Sequence, residues 1–294
     1  MDLEKILPKD GPPINEVTKY IEKYKNDLIV IKYGGNVLID RNVFNNFITD
    51  LSVLNKLGLA TVVIHGGGPR IKRELEKSNI QSKFIRGLRV TDKNIINIVE
   101  SVLIDFNDDI VENLNKKGSK GFSIHTKNNN IIEVIPEAEE LGFVGIPISV
   151  NNEMIFNILK QNKVPIVSPL GLDKNSQTYN INGDTAAMAI AKSLKARRLL
   201  LMTNVDGVLN KEKKLIEEIS STEILEMIKN ETITEGMIPK INACLDAVNN
   251  GVTGVGIING TKKHSCLWEI FSDKGAGTLL SLIHISEPTR PLEI

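Results

Sequence analysis

Cysteine is nearly absent from this chain of 294 residues: Cys244 and Cys266 stand far apart, without metal-ligand spacing. That excludes a disulfide framework and a thiolate metal site, and both read as ordinary thiols of a reducing compartment. Histidine is scarce too, with four in all, and no H-E-x-x-H occurs, so metal hydrolysis has no support and no resident metal is expected. G-x-S-x-G, C-x-x-C and G-x-x-x-x-G-K-[ST] are missing, which removes serine hydrolases, dithiol redox proteins and P-loop enzymes. Neither sign of charge is in excess, since 36 Lys and Arg balance 36 Asp and Glu. Gripping a nucleic-acid backbone needs a basic surplus, so no nucleic-acid partner is expected. No apolar run nears the ~18 residues of a membrane span, and no basic leader precedes an apolar stretch. The expectation is a cytoplasmic globular protein with no membrane partner.

What is present is an alternation of strands and helices. Residues 27–33 (DLIVIKY) and 60–65 (ATVVIH) are β-branched, nearly continuous apolar runs, as strands buried on both faces of a parallel sheet require. Residues 164–168, 198–202 and 252–258 read as further strands, and 121–150 holds short β-like runs. Helical periods cover 41–57, 69–78, 92–115 (capped by Thr91 or Asp92), 185–194 and 237–249. This order predicts an α/β fold with a mainly parallel sheet, undivided by repeats or low-complexity linkers. Ahead of it, Pro12 and Pro13 precede an apolar stripe of Ile14, Val17, Ile21 and Tyr24. Residues 1–26 therefore form an extension helix that packs on its own domain or on a partner subunit. Residues 281–294 carry two prolines and no periodicity, and they resemble translated sequencing adapter. They are set outside the fold as a non-native tail, a natural tail being the alternative.

Glycine gathers where α/β sheets bind ligands, beyond the carboxyl ends of strands. Gly34-Gly35 follows the first strand and Gly66-Gly67-Gly68 the second. Glycine lets the backbone close on a ligand with its N–H groups turned inward, and a helix N-terminus adds positive potential. One such pair would be a tight turn; two clusters at consecutive strand ends point to an anion site. Gly251, Gly254 and Gly256 instead suit a turn and a strand start. Lys32 interrupts an apolar strand, a costly place unless it reaches water or an anion. Asp184 opens a helix, where alone it would be an N-cap. Lys240 lies in a helix's first turn, an end that disfavours cations, although a solvated lysine is the plain reading. His65 is the one histidine beside a glycine loop.

With their neighbours these residues resemble the amino-acid kinase family. The matching runs are 32–36 (KYGGN), 65–69 (HGGGP), 87–92 (GLRVTD), 180–187 (NINGDTAA), 203–209 (TNVDGVL) and 236–240 (GMIPK). The resemblance spans about residues 14–280, and the GLRVTD run is similar to the acetylglutamate branch. It implies a three-layer α/β/α sandwich around a mainly parallel central sheet. Residues 1–26 would be the extension helix with an oligomerising role, 27–195 the acyl-amino-acid lobe and 196–280 the ATP lobe. The implied reaction is phosphorylation of the side-chain carboxylate of N-acetyl-L-glutamate by ATP with Mg²⁺, in arginine biosynthesis.

By the same resemblance Lys32 and Lys240 flank the phosphoryl in flight, and Asp184 holds both lysines. Gly34, Gly35, Gly67 and Gly68 offer backbone N–H groups to phosphoryl and substrate. Arg89 clamps the α-carboxylate, Asn180 holds another polar part of the substrate, and Asn182 is a weaker candidate. Gly207 and Lys211 lie near the nucleotide. The extension helix and the run 264–271 are similar to the hexameric, arginine-inhibited type, a trimer of dimers, with the simple dimer as the alternative. His264, Glu269 and Gly275 would lie near the L-arginine effector, with Lys213 or Lys214 as further contributors. A nitrogen-signalling protein is a further implied partner. Departures from the family pattern are Gly183, Met188, Arg70 and the stretch 144–147. Rival readings are a kinase of this fold acting on carrier-bound aminoadipate, aspartate, glutamate or a nucleoside monophosphate, and a catalytically silent arginine or nitrogen sensor.

Overall fold

The computed structural model describes residues 2–34, 40–230, 232–233 and 237–282. In chain order the helices are α1 (Leu3–Ile6), α2 (Ile14–Tyr24), α3 (Arg41–Lys56), α4 (Gly68–Lys77), α5 (Lys93–Lys116), α6 (Asn152–Leu159), α7 (Gly183–Ser193), α8 (Ser221–Lys229), α9 (Ile238–Asn249) and α10 (Ser265–Ile270). The strands are β1 (Leu28–Tyr33), β2 (Ala60–His65), β3 (Phe84–Ile85), β4 (Leu88–Arg89), β5 (Gly121–Ile124), β6 (Ile132–Pro136), β7 (Gly145–Val150), β8 (Val164–Val167), β9 (Leu170–Leu172), β10 (Thr178–Asn180), β11 (Arg198–Thr203), β12 (Glu218–Ser220), β13 (Gly254–Asn259) and β14 (Gly277–Ser281).

Side chains alternate across a strand, so each buried strand feeds two cores. Ile29, Ile31 and Tyr33 of β1 join one apolar cluster with α2, α3, α5 and α10. Val30 turns to the other face, where residues of α6, α7, α8 and α9 cover the sheet. The neighbouring strands β2 and β11 divide the same way, because they pair with β1 in parallel register. The result is the expected three-layer sandwich. Its eight-stranded sheet runs β12-β14-β13-β11-β1-β2-β8-β5, with β13–β14 the single antiparallel pairing among these strands. A second sheet, β10-β9-β6-β7, absorbs the short runs near 121–150.

From β1 the connections run one way, through β2, and from β11 they run the other way, through β13. The carboxyl ends of β1 and β11 therefore form a switch point, the place where open α/β sheets bind ligands. Helices α7 and α9 lead directly into β11 and β13, so both bring their N-termini to that same edge.

Two readings are corrected. Helix α7 starts two residues ahead of the expected 185 because Asn182, not Asp184, is its cap: the Asn182 side chain accepts from the N–H groups of Asp184 and Thr185. Ser281 closes β14, pairing with Gly254, and so belongs to the sheet; residues 283–294 lie outside the described ones. Strands β12 and β14 had no counterpart in the sequence reading. The α2 stripe packs on its own chain through Val17 and Tyr24, with Tyr20 as an added member, while Ile14 stays exposed.

Candidate active site

Residue 32 falls on the face of β1 that also carries Val30, the face covered by α7 and α9. The lysine therefore leaves the strand toward two helix N-termini. Its Nζ lies 2.8 Å from Oδ1 of Asp184, in the first turn of α7. Lys240, in the first turn of α9, donates to Oδ2 of the same carboxylate at 2.7 Å. Because Asn182 caps α7, the Asp184 carboxylate is released to hold both ammonium groups. Burial alone would raise its pKa, but the two lysines outweigh that and hold it at about 2. Two cations around one anion leave a local positive surplus, and each ammonium keeps donors for other acceptors.

Gly34 follows the first strand beside this cluster, and a Cβ there would collide with the Lys32 ammonium. The ammonium is anchored by Asp184, so the collision has no cheap escape. Gly35 lies outside the described residues, as do Asn36 and Gly236 of the motif runs.

Beside the cluster opens a cavity of about 140 Å³, lined among others by Gly66, Gly67, Gly68, Arg89, Asn180, Asn182 and Gly183. It ends at the residues that immediately precede Asp184. Gly67 and Gly68 stand at the start of α4, where unsatisfied N–H groups and the helix dipole favour an anion. A Cβ on Gly68 would meet open space. Arg89 comes from the β3–β4 hairpin, whose two-residue turn, Arg86-Gly87, has positive φ at both positions as a tight hairpin requires. Arg89 is buried, its Nη1 donates to Ser82 Oγ, Nη2 reaches the Gly68 carbonyl at 3.4 Å, and its plane lies over the Phe84 ring at 4.8 Å. Burial lowers its pKa, because it penalises the charged guanidinium. Asn180 Nδ2 is 3.4 Å from Thr91 Oγ1.

The structure thus joins Lys32, Asp184 and Lys240 in one cluster and Gly67, Gly68, Arg89 and Asn180 in one cavity. Gly207 and Lys211 do not line it. Gly207, at φ 141°, packs against Thr278, and Lys211 is exposed in a turn. His264, Glu269 and Gly275 lie apart, around α10: His264 Nδ1 is 2.6 Å from Asp50 Oδ1, and Glu269 accepts from the Ala276 N–H at 2.7 Å. The departing residues find plain places: Met188 is core, Val144 lines the cavity, and Arg70 turns away toward Asp109 at 2.6 Å. Sequence reasoning missed Ser82 and Phe84, which hold Arg89. An aromatic residue and a hydroxyl ahead of the Arg86-Gly87 turn were the available signal.

Among the described residues no group of three or more His, Cys, Asp or Glu is placed to hold a metal, and no helix is long and apolar enough to cross a membrane.

Comparison with known proteins places the chain in one family and fold. The sequence model of the Amino acid kinase family matches residues 27–259. An acetylglutamate kinase of Pelagibacter ubique is 56% identical over 95% of this chain and 97% of its own length. The crystal structure of smu.665 from Streptococcus mutans UA159 superposes with a TM-score of 0.72 at 31% identity, covering 87% of this chain and 98% of that one. An N-acetylglutamate synthase from Neisseria gonorrhoeae, complexed with coenzyme A and N-acetyl-glutamate, shares the fold at a TM-score of 0.80 and 23% identity, over 91% of this chain and 62% of that one.

Proposed function

This chain belongs to the amino acid kinase family, and we propose that it is an acetylglutamate kinase, transferring the γ-phosphoryl of ATP to the side-chain carboxylate of N-acetyl-L-glutamate in arginine biosynthesis. The observation that carries the reading is the convergence of Lys32 and Lys240 on Asp184 at 2.8 and 2.7 Å, beside the glycine- and arginine-lined cavity. A carboxylate oxygen attacks the γ-phosphorus, the new P–O bond forms, and the bond to the bridging oxygen breaks with its electron pair leaving on ADP. Two anions must meet for this, so the protein's work is charge neutralisation and alignment. Lys32 and Lys240 stabilise the phosphoryl oxygens in flight, while Asp184 fixes both ammonium groups without taking a proton. Gly34, Gly35, Gly67 and Gly68 supply N–H groups, Arg89 pairs with the α-carboxylate, and Asn180 holds a further polar group of the substrate. Asp184 is already engaged by two cations, so Mg²⁺ arrives bound to ATP phosphates.

The acyl-amino acid occupies the lobe of residues 27–195 and ATP that of 196–280, with Gly207 and Lys211 on the nucleotide side. The enzyme works in the cytoplasm as a hexamer restrained by L-arginine near His264, Glu269 and Gly275. The contact of α2 with the segment after α10, through Lys19 and Asp273 at 2.8 Å, supports an effector site coupled to the extension helix. Docking of a nitrogen-signalling protein is a further step on the same assembly. Hydroxamate trapping of the acyl phosphate across acetylglutamate, glutamate, aspartate and carrier-bound aminoadipate tests the reaction: turnover with acetylglutamate alone supports it, and preference for another acid replaces it. Sizing chromatography with added arginine tests the rest; a dimer indifferent to millimolar arginine would sink the regulatory reading.

A further inference from the structure

The glycine loop after β2 rests on a buried polar chain that the reaction outlined above does not use. His65, the last residue of β2, is fully buried, with Nδ1 2.9 Å from the carbonyl oxygen of Gly66 and Nε2 3.0 Å from Oδ1 of Asn107 on α5. Asn107 is equally buried, and its amide also reaches Ser123 Oγ at 2.7 Å. The same face of α5 supplies Phe106, edge-on to the His65 ring at 4.9 Å, and Leu103, into which a Cβ on Gly67 would run. Residues 103, 106 and 107 are spaced as neighbours on one helix face. Arg70, at the start of α4, lies over Phe106 at 3.9 Å and pairs with Asp109. One stretch of α5 therefore touches the loop before, within and after its glycines.

The consequence follows from the peptide plane. The Gly66 carbonyl and the Gly67 N–H belong to one trans peptide and point in opposite directions. Holding the carbonyl toward the buried ring turns the Gly67 N–H away from α5, on the side where Gly67 lines the cavity. We propose that His65, set by Asn107, is a positioning residue that aims the Gly67 amide at the anion in the cavity. A carbonyl only accepts, so the working ring carries its proton on Nδ1 and leaves Nε2 as an acceptor. Asn107 completes the pair by turning its NH₂, in place of Oδ1, to Nε2; the Ser123 hydroxyl, whose proton goes to Asp108 Oδ1 at 2.7 Å in the structure, then redirects it to the amide oxygen. Burial lowers the His65 pKa to about 4, which keeps a single proton on the ring.

The inference rests on the cavity being the substrate site, so its test carries a separate arm for that. His65→Asn keeps a donor near the Nδ1 position, whereas His65→Gln moves it to the Nε2 end. The asparagine variant is expected to keep kcat within about threefold, and the glutamine variant to lose about tenfold or more, less than the loss of a direct oxyanion donor. Asn107→Leu is expected to follow the glutamine variant, with KM for ATP unchanged in both, and thermal melts confirm folding. Equal kcat in the two His65 variants overturns the proposal, as does an Asn107→Leu enzyme of full kcat. Arg89→Gln reads the cavity itself: an unchanged KM for acetylglutamate there removes the substrate reading and the inference with it.

Discussion

Asp184, with its side chain 28% exposed, and Asp50, fully buried, both stand beside cationic or basic side chains, in opposite layers of the sheet. The Asp184 carboxylate meets two ammonium groups, from β1 and α9. Asp50, on α3, accepts from His264 at 2.6 Å and from the backbone N–H groups of Cys266 and Leu267. Burial pushes the Asp50 carboxyl up to about 6 despite those donors, whereas the paired lysines hold Asp184 near 2. The first carboxylate organises surplus positive charge that another anion can share. The second is saturated by its donors and ties α10 to α3. Burial therefore does not mark a carboxylate that organises an anion site; the charge left over around it does.

The largest effect should come from disturbing that surplus. Lys240→Ala removes one donor to the phosphoryl oxygens and is expected to cut kcat by about 10²–10³, the cost of a lost oxyanion contact. Lys240 is partly exposed, so the melting temperature should move little. Steady-state kinetics beside a thermal melt reads both, and unchanged turnover would break the assignment of the cluster.

Asp50→Ala should do the reverse. It strands His264 and two N–H groups in the core, which costs about 2–3 kcal/mol and lowers the melting temperature by several degrees. Turnover per folded enzyme is expected to stay within twofold. A large fall in kcat at constant stability would mean that the two carboxylates are not so different.

A third experiment separates them by pH. The folded pKa of Asp184, about 2, lies below the ordinary carboxylate value. A depressed carboxylate contributes stability above the unfolded pKa, about 3.9, and loses it as pH falls through the folded value. The contribution is about 2 kcal/mol at neutral pH. Urea unfolding should therefore find Asp184→Asn more destabilising at pH 6 than at pH 2.5. The carboxylate also stays ionised from pH 4 upward, so it places no acid limb in the kcat profile above that point. Such a limb, abolished by Asp184→Asn, would show the pair with the lysines to be weaker than their distances suggest.

The Asp184 half of this comparison was legible in part, since Asp184 and Lys240 read alone as a cap and a solvated lysine and were joined to Lys32 only through the family resemblance. A lysine inside an apolar strand is costly unless it reaches water or an anion, and glycines after two consecutive strands point to an anion site, so the glycines at 34, 67 and 68 carried their own signal and Lys32 gained meaning beside them. The parallel sheet was legible for the same reason, since β-branched runs such as 60–65 suit little else. Cap chemistry was less so: Asn182 and Asp184 are both good caps two residues apart, and only the geometry of the turn decides which side chain folds back. The other half was silent. His264 and Asp50 are 214 residues apart, Tyr20 and Asp273 are 253 apart, and Asn107 stands 42 from His65. Single polar residues on apolar helix faces carry no period that announces a partner, and the sheet order that brings them together is itself a tertiary fact.

The smallest expected effect sharpens the contrast furthest from the chemistry. Tyr20 donates from Oη to Asp273, and Lys19 pairs with the same carboxylate at 2.8 Å. Tyr20→Phe removes one partly buried hydrogen bond while the ring stays packed with Tyr24. The loss is about 0.5–1.5 kcal/mol, because Lys19 and water can still serve Asp273. Melting temperature should fall by a few degrees at most, with kcat and both KM values unchanged without arginine. If the segment after α10 belongs to the effector site, the arginine concentration for half-inhibition should rise, since the helix that borders the site is held less firmly. A fall in kcat without effector would instead mean that α2 strains or supports the Lys32 cluster through β1. The two layers of the sheet would then be one mechanical unit, and the division between an anion-sharing carboxylate and a saturated one would hold for charge but not for motion.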